Sequence, residues 1–204
     1  MSKLIAFEGI DGSGKSTQAA LLFKAFKAKG IKTILTAEPT KRPIGRMIRD
    51  IFSGKLIADQ QVIATLFAAD RLDHLTNEED GMIRLLAEGT TIISDRYFLS
   101  SYAYHSVHMD MDWVIAANSM CAQILRPDVN IFIDVPPETC MERISTGRSH
   151  LELFETLDNL RVVRTKYFEA FDKLKEHENI CVIDGHRTIS ALVEEIWKDV
   201  EGMA

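Results

Sequence analysis

Lys3-Leu4-Ile5-Ala6-Phe7-Glu8 runs directly into Gly9-Ile10-Asp11-Gly12-Ser13-Gly14-Lys15-Ser16-Thr17. An apolar strand is followed by a glycine-rich turn and the start of a helix. The turn matches GxxxxGK[ST], with Gly9, Gly14, Lys15 and Ser16 in register. Successive backbone N–H groups of such a loop turn inward around phosphate oxygens, in conformations that residues with a Cβ resist. The helix opening at Lys15 adds the positive end of its dipole. Lys15 then supplies a charge at the β- and γ-phosphates, and Ser16 a hydroxyl ligand for Mg²⁺. The stretch from Gly9 to Thr17 is therefore a candidate nucleoside triphosphate site. A chance glycine-rich turn is the bland alternative, but strand and helix both stand where the mechanism needs them.

Outward from this loop, short apolar runs alternate with longer amphipathic stretches, the pattern of a mostly parallel sheet flanked by helices. Predicted strands are Lys3 to Glu8, Lys32 to Ala37, Thr91 to Asp95, Val129 to Asp134 and Asn179 to Asp184. Lys15 to Lys29 places Ala19, Leu22, Phe23 and Phe26 on one helical face, and Gly30 ends that helix. Further helices are expected over Pro43 to Phe52, Asp59 to His74, Glu78 to Glu88, Phe98 to His108, Asp110 to Leu125, Pro137 to Ser145, Phe154 to His177 and Ile189 to Val200. The fold class is α/β, a five-stranded parallel sheet of P-loop NTPase type. Ser145-Thr146-Gly147-Arg148-Ser149-His150 is polar and lies between two helices, which suggests a mobile flap.

The chain has 204 residues, enough for one core, and a single domain over 1–204 is expected. Lys and Arg number 24 against 30 Asp and Glu, a net charge of −6, which argues against a general nucleic-acid binder. Cys121, Cys140 and Cys181 are an odd set without CxxC or zinc-type spacing, as suits a reducing cytosol. No apolar window approaches about 18 residues, and the N-terminus turns acidic too early for a signal segment. A cytoplasmic, non-membrane protein is predicted.

A P-loop site normally takes a second carboxylate from another strand end. Asp95 closes the run Thr91-Ile92-Ile93-Ser94, and Arg96 follows it at the sheet edge where ligands bind in open α/β folds. Asp95 is the candidate metal ligand beside Ser16, although a surface ion pair would read the same way. Glu8 and Asp11 flank the loop; either suits a metal or a substrate hydroxyl, and either suits a cap or turn.

Four further stretches narrow the reading: Phe7-Glu8-Gly9-Ile10-Asp11-Gly12, Glu38-Pro39-Thr40, Phe67-Ala68-Ala69-Asp70-Arg71, and Asp95-Arg96-Tyr97 followed by Ser100-Ser101-Tyr102-Ala103-Tyr104. In this order the chain resembles thymidylate kinases. The resemblance implies transfer of the γ-phosphoryl group of ATP to thymidine monophosphate, with Mg²⁺, in a homodimer of the nucleoside monophosphate kinase fold. It implies that Phe67 stacks on the base while Arg71, one turn on, hydrogen-bonds a base carbonyl. Ser101 meets the base edge, and Tyr104 lies beside the deoxyribose. Arg96 and Arg49 hold the acceptor phosphate near Glu38 and Pro39, with Arg46 a turn from Arg49. The resemblance makes Lys15, Asp11 and Arg96 catalytic candidates, to which Arg148 is added below, and Arg143 matches the position that packs on adenine. From the residues alone, Phe67 also suits a core position, Arg71 a surface charge, and Ser101 and Tyr104 plain helix surface.

The chain departs from the family pattern in two places. It reads Ala37-Glu38-Pro39-Thr40-Lys41-Arg42, where relatives often have an Arg before the Glu-Pro and a Gly pair after it. Family members take a catalytic arginine from the P-loop or from a lid, here about residues 145–155. Ser13 and its neighbours supply none, and Leu153 stands where a lid arginine is common. Arg148 is the nearest substitute, with Arg161 and Arg164 on the following helix as alternatives; Glu152 and Glu155 are acidic candidates for placing metal or lid. A deoxynucleoside kinase, a monophosphate kinase for another base, and a P-loop switch ATPase are the competing functions.

Overall fold

The structure, a computed structural model, describes residues 2–147 and 156–201. Its sheet has five parallel strands in the order β2-β3-β1-β4-β5: β1 (Leu4–Glu8), β2 (Thr33–Ala37), β3 (Thr91–Asp95), β4 (Val129–Asp134) and β5 (Ile180–Asp184). The middle strands β3, β1 and β4 are almost entirely buried, as strands covered by helices on both faces must be. The edge strands β2 and β5 keep partly exposed positions. The register pairs Phe7 and Ala37 with Asp95, and Glu8 with Phe132. The carboxyl ends of four strands thus form one edge. The chain winds one way from β1 for β2 and β3 and the other way for β4 and β5, so a crevice opens beside β1.

The helices are α1 (Lys15–Ala28), α2 (Pro43–Phe52), α3 (Gln60–Thr76), α4 (Met82–Ala87), α5 (Phe98–His105), α6 (Met111–Ala117), α7 (Ser119–Ile124), α8 (Pro137–Gly147), α9 (Leu157–Leu174) and α10 (Ile189–Glu201). On α1 the predicted face packs inward through Ala19, Leu22 and Phe26. On α9, Leu160, Val163, Tyr167, Ala170, Phe171 and Leu174 are buried, a helical spacing. Phe132 of β4 meets Tyr167 and Phe171 at ring-centroid distances of 4.8 and 5.0 Å. That packing fixes α9 over the sheet edge.

Three expectations are corrected. The helix expected over Asp110 to Leu125 is divided at Asn118, which ends α6 and whose side-chain amide donates back to the Val114 carbonyl at 2.9 Å. The helix expected from Glu78 starts at Met82, because Asn77 Oδ1 draws the Glu79 and Asp80 N–H groups into a turn. Ser145, Thr146 and Gly147 continue α8, so the first three residues of the expected lid are helical. The rest of it, 148–155, lies outside the described residues, and with it Arg148, Glu152, Leu153, Phe154 and Glu155. Among the described residues no helix is long and apolar enough to cross a membrane.

Candidate active site

The loop from Gly9 to Gly14 joins β1 to α1. Gly14 is the N-cap of α1 at φ 95°, and no side chain caps that end. The first N–H groups of the helix are left for an anion. Gly12, at φ +81°, lies so close to α8 that an added Cβ would stand 2.5 Å from the Cys140 carbonyl oxygen. Only glycine lets the loop lie against that helix.

Lys15 is buried, its Nζ 3.4 Å from the Ile10 carbonyl and 3.5 Å from Asp11 Oδ1. Burial pushes its ammonium below the usual lysine range, and Arg96 adds to this against Asp11, Asp95 and Glu8. Asp11 also accepts from Arg96 Nη2 and, at 2.8 Å, from Tyr104 Oη. Burial raises its carboxyl, but Arg96, Lys15 and Tyr104 together hold it well below the usual range. Asp11 therefore stays ionised and ties the phosphate loop to Arg96. The guanidinium of Arg96 lies 4.8 Å from the Tyr104 ring centroid. Arg96 is in the left-handed region at φ 74°, which costs about 1–2 kcal/mol for a residue with a Cβ.

One cavity of about 860 Å³ extends from Gly12, Lys15 and Ser16 to Phe67 and Arg71. At its far end the Phe67 ring stands between Phe52 and His105, at centroid distances of 6.0 and 5.1 Å. Arg71 is 1% exposed, so it is no surface charge. Its Nε and Nη2 meet Glu38 Oε2 at 2.8 and 2.6 Å, Nη2 reaches Ser101 Oγ at 3.1 Å, and Nη1 donates to Asn118 Oδ1. Glu38 also receives His74 Nδ1 at 3.2 Å. A buried ion pair of this kind fixes geometry more than it stabilises the fold. Pro39 and Arg49 line the same cavity, but Arg49 donates to the Pro39 carbonyl at 2.9 Å and to the Thr40 carbonyl. In this state it clamps the loop after β2.

Arg143, on α8, reaches the Gly12 and Ser13 carbonyls at 3.4 and 3.3 Å and that of Gly185 at 3.4 Å. It bridges the phosphate loop to the turn after β5. Arg164 makes two bonds of 2.7 Å to Asp134, and Arg161 pairs with Glu138 and Asp158. Both alternatives to Arg148 are therefore held by carboxylates. Asp95 Oδ1 is buried with no hydrogen-bond partner among the described residues, and Ser16 stands exposed at the start of α1.

Several residues in this region had no role in the sequence reading. His105 lines the cavity, and burial pushes its imidazole down to about 3, so it is neutral. Asn118 holds Arg71 from the break between α6 and α7, a junction with no local sequence signal. Ser100, four residues after Arg96, had only its spacing to announce it. Tyr167 comes from α9 and touches Glu8 and Ser100 at 3.0 and 2.9 Å.

A sequence profile of the family described as thymidylate kinase matches residues 7–196. A protein of Thermococcus onnurineus is 39% identical, covering 93% of this chain and 96% of its own length. One from Methanocaldococcus jannaschii is 37% identical over 97% of this chain and 93% of its own, and one from Pyrococcus horikoshii 36% identical over 93% and 95%. All three carry the name "Probable thymidylate kinase". The match takes in the glycine-rich loop after β1, the residues that line the cavity and α9 together, and this chain belongs to the thymidylate kinase family.

Proposed function

We propose that the chain transfers the γ-phosphoryl group of ATP to the phosphate of thymidine monophosphate, each site residue acting as follows. The observation that carries this reading is the single cavity joining a phosphate loop to a pocket with an aromatic plate and a buried guanidinium. A planar base suits the Phe67 face. Arg71, held by Glu38, Asn118 and Ser101, has one Nη1 N–H left to offer a base carbonyl. Ser101 borders the base edge, and Tyr104 and Asp11 border the sugar. Arg96, assisted by Arg49, grips the acceptor phosphate between base and phosphate loop. Glu38 and Pro39 form the wall beside it.

In the reaction an oxygen of the acceptor phosphate forms a bond to the γ-phosphorus as the bond to the β,γ-bridging oxygen breaks. Little covalent chemistry is left to the protein, so positioning and charge carry the catalysis. The N–H groups of Gly9 to Thr17 and the Lys15 ammonium take the donor phosphates, Arg143 borders adenine, and Arg148 is assigned to the moving phosphoryl group. Ser16 and Asp95 would hold Mg²⁺; the buried, unpartnered Asp95 oxygen fits a cation ligand. When bound, Mg²⁺ neutralises charge on the phosphates. The reading also makes the protein a cytoplasmic homodimer. Free Cys121, Cys140 and Cys181 suit a reducing compartment. Exposed Met47, Val62, Met120 and Ile124 on the neighbouring helices α2, α3 and α7 suit a subunit contact.

Calorimetric titration of wild type and Phe67→Ala tests the acceptor assignment. Thymidine monophosphate binding is expected to weaken by about 1–3 kcal/mol, the range for stacking one base on a ring, with ATP binding unchanged. Loss of ATP binding or of the fold would instead make Phe67 a core residue and move the acceptor site elsewhere.

A further inference from the structure

The conformation of Arg96 is braced on every side. Its N–H donates to the Phe7 carbonyl at 2.9 Å, and its carbonyl accepts from Ser94 Oγ at 2.7 Å. The next N–H, of Tyr97, donates to Glu8 Oε1 at 2.9 Å. The other oxygen of that carboxylate accepts from Ser100 Oγ at 2.5 Å, and Ser100 Oγ accepts from Arg96 Nη1 at 3.0 Å. One fully buried carboxylate thus holds the N–H that follows Arg96 and, through Ser100, the Arg96 side chain. Tyr167 donates to the same Oε2 at 3.0 Å and brings α9, the helix that follows residues 148–155, onto the network.

We propose that Glu8, acting through Ser100, is a positioning residue that sets the Arg96 guanidinium for the acceptor phosphate, and that it does so only as the carboxylate. The inference rests on the assignment of Arg96 to that phosphate. A hydroxyl has one proton to give. With Glu8 ionised, Ser100 gives its proton to Oε2 and turns a lone pair to Arg96. With Glu8 protonated on Oε2, the acid proton goes to Ser100 or Tyr167, and Ser100 loses the fixed acceptor of its own proton: that proton turns to Tyr167 Oη, 2.9 Å away, or towards Arg96, so the lone pair that met Arg96 is no longer held in place. Arg96 is left with Asp11 and Tyr104, both bonded to its other nitrogen.

The charged and titratable groups around Glu8 come from every neighbouring element. They are Asp11 and Lys15 from the loop, Asp95 from β3, Arg96 and Tyr97 ahead of α5, Tyr104 from α5 and Tyr167 from α9. Burial pushes the three tyrosines up, so they remain neutral. Burial also raises Glu8, to about 7, against the pull of Ser100, Arg96, Tyr97 and Tyr167. Glu8 then changes charge in the neutral range while Asp11 and the three tyrosines keep their states.

The test measures kcat/KM for thymidine monophosphate at saturating ATP and Mg²⁺ from about pH 5.5 to about pH 8.5, with titration of the substrate phosphate common to all enzymes compared. Wild type is expected to lose kcat/KM as the pH falls through about 7, beyond what the substrate itself contributes. Glu8→Gln is expected to be lower by about 10-fold to 10²-fold at alkaline pH, the scale of a small misplacement of a reacting group, and to lack the extra acid limb. Ser100→Ala, which cuts the link and leaves the carboxylate, is expected to show the same pair of effects. Tyr167→Phe removes a donor to the carboxylate and is expected to move the limb to higher pH. ATP affinity and thermal unfolding check that each variant is folded. If Arg96→Ala is crippling while Glu8→Gln and Ser100→Ala keep the wild-type value and profile, the positioning role is overturned. If Arg96→Ala leaves kcat/KM unchanged, the assignment of Arg96 to the acceptor phosphate falls, and the inference with it.

Discussion

Lys15→Ala is expected to lower kcat by about 10³-fold or more, the scale on which a fixed cation at a transferring phosphoryl group acts, while the protein remains folded. Lys15 is buried at the mouth of α1 and, among the described residues, bonds only to Ile10 and Asp11. Its loss leaves Asp11 paired with Arg96 and hydrogen-bonded to Tyr104, so no buried charge is abandoned. The measurement is ADP release at saturating ATP and acceptor, with a thermal melt as control. Near-normal turnover by the variant would remove the phosphate-loop assignment altogether.

Arg148→Ala is expected to lower kcat by at least about 10²-fold, with little change in KM for thymidine monophosphate, as for an interaction made mainly in the transition state. Transfer spreads negative charge over the γ-oxygens and the bridging oxygen, more than Lys15 alone can cover. The described part of the chain leaves few other sources. Arg164 is held at both ends of its fork by Asp134, Arg161 by Glu138 and Asp158, and Arg143 lies along the carbonyls of the phosphate loop. Arg143→Ala, assayed alongside, should instead raise KM for ATP. A wild-type kcat for Arg148→Ala would defeat the assignment and require Arg161 or Arg164 to leave its carboxylate on closure.

What could be read in advance follows from how local each cause is. The strands were legible because buried parallel strands are uninterrupted apolar runs, and the phosphate loop because its mechanism fixes spacing within nine residues. The break at Asn118 was not, because its cause is a guanidinium 47 positions away that needs the asparagine carbonyl. Glu8 was visible as an acidic residue closing an apolar strand, and its spacing left cap, metal ligand and hydroxyl partner equally open. Its bonds come from Tyr97, Ser100 and Tyr167, on segments that only the folded sheet brings together. Phe67 and Arg71 lay four apart, but the burial of Arg71 depends on Glu38 and Asn118, which the spacing does not show. Arg49 lines the cavity, and its present bonds to the loop after β2 could not be foreseen from its position on α2.

The most direct test of the account is a coupled ADP-release assay with ATP and Mg²⁺ across nucleosides and their monophosphates. The account predicts turnover with thymidine monophosphate, and none with thymidine, because the site proposed around Arg96 is built for a phosphate on the acceptor. Turnover of thymidine but not of its monophosphate, or ATP hydrolysis that responds to a protein or DNA and to no acceptor nucleotide, would contradict it.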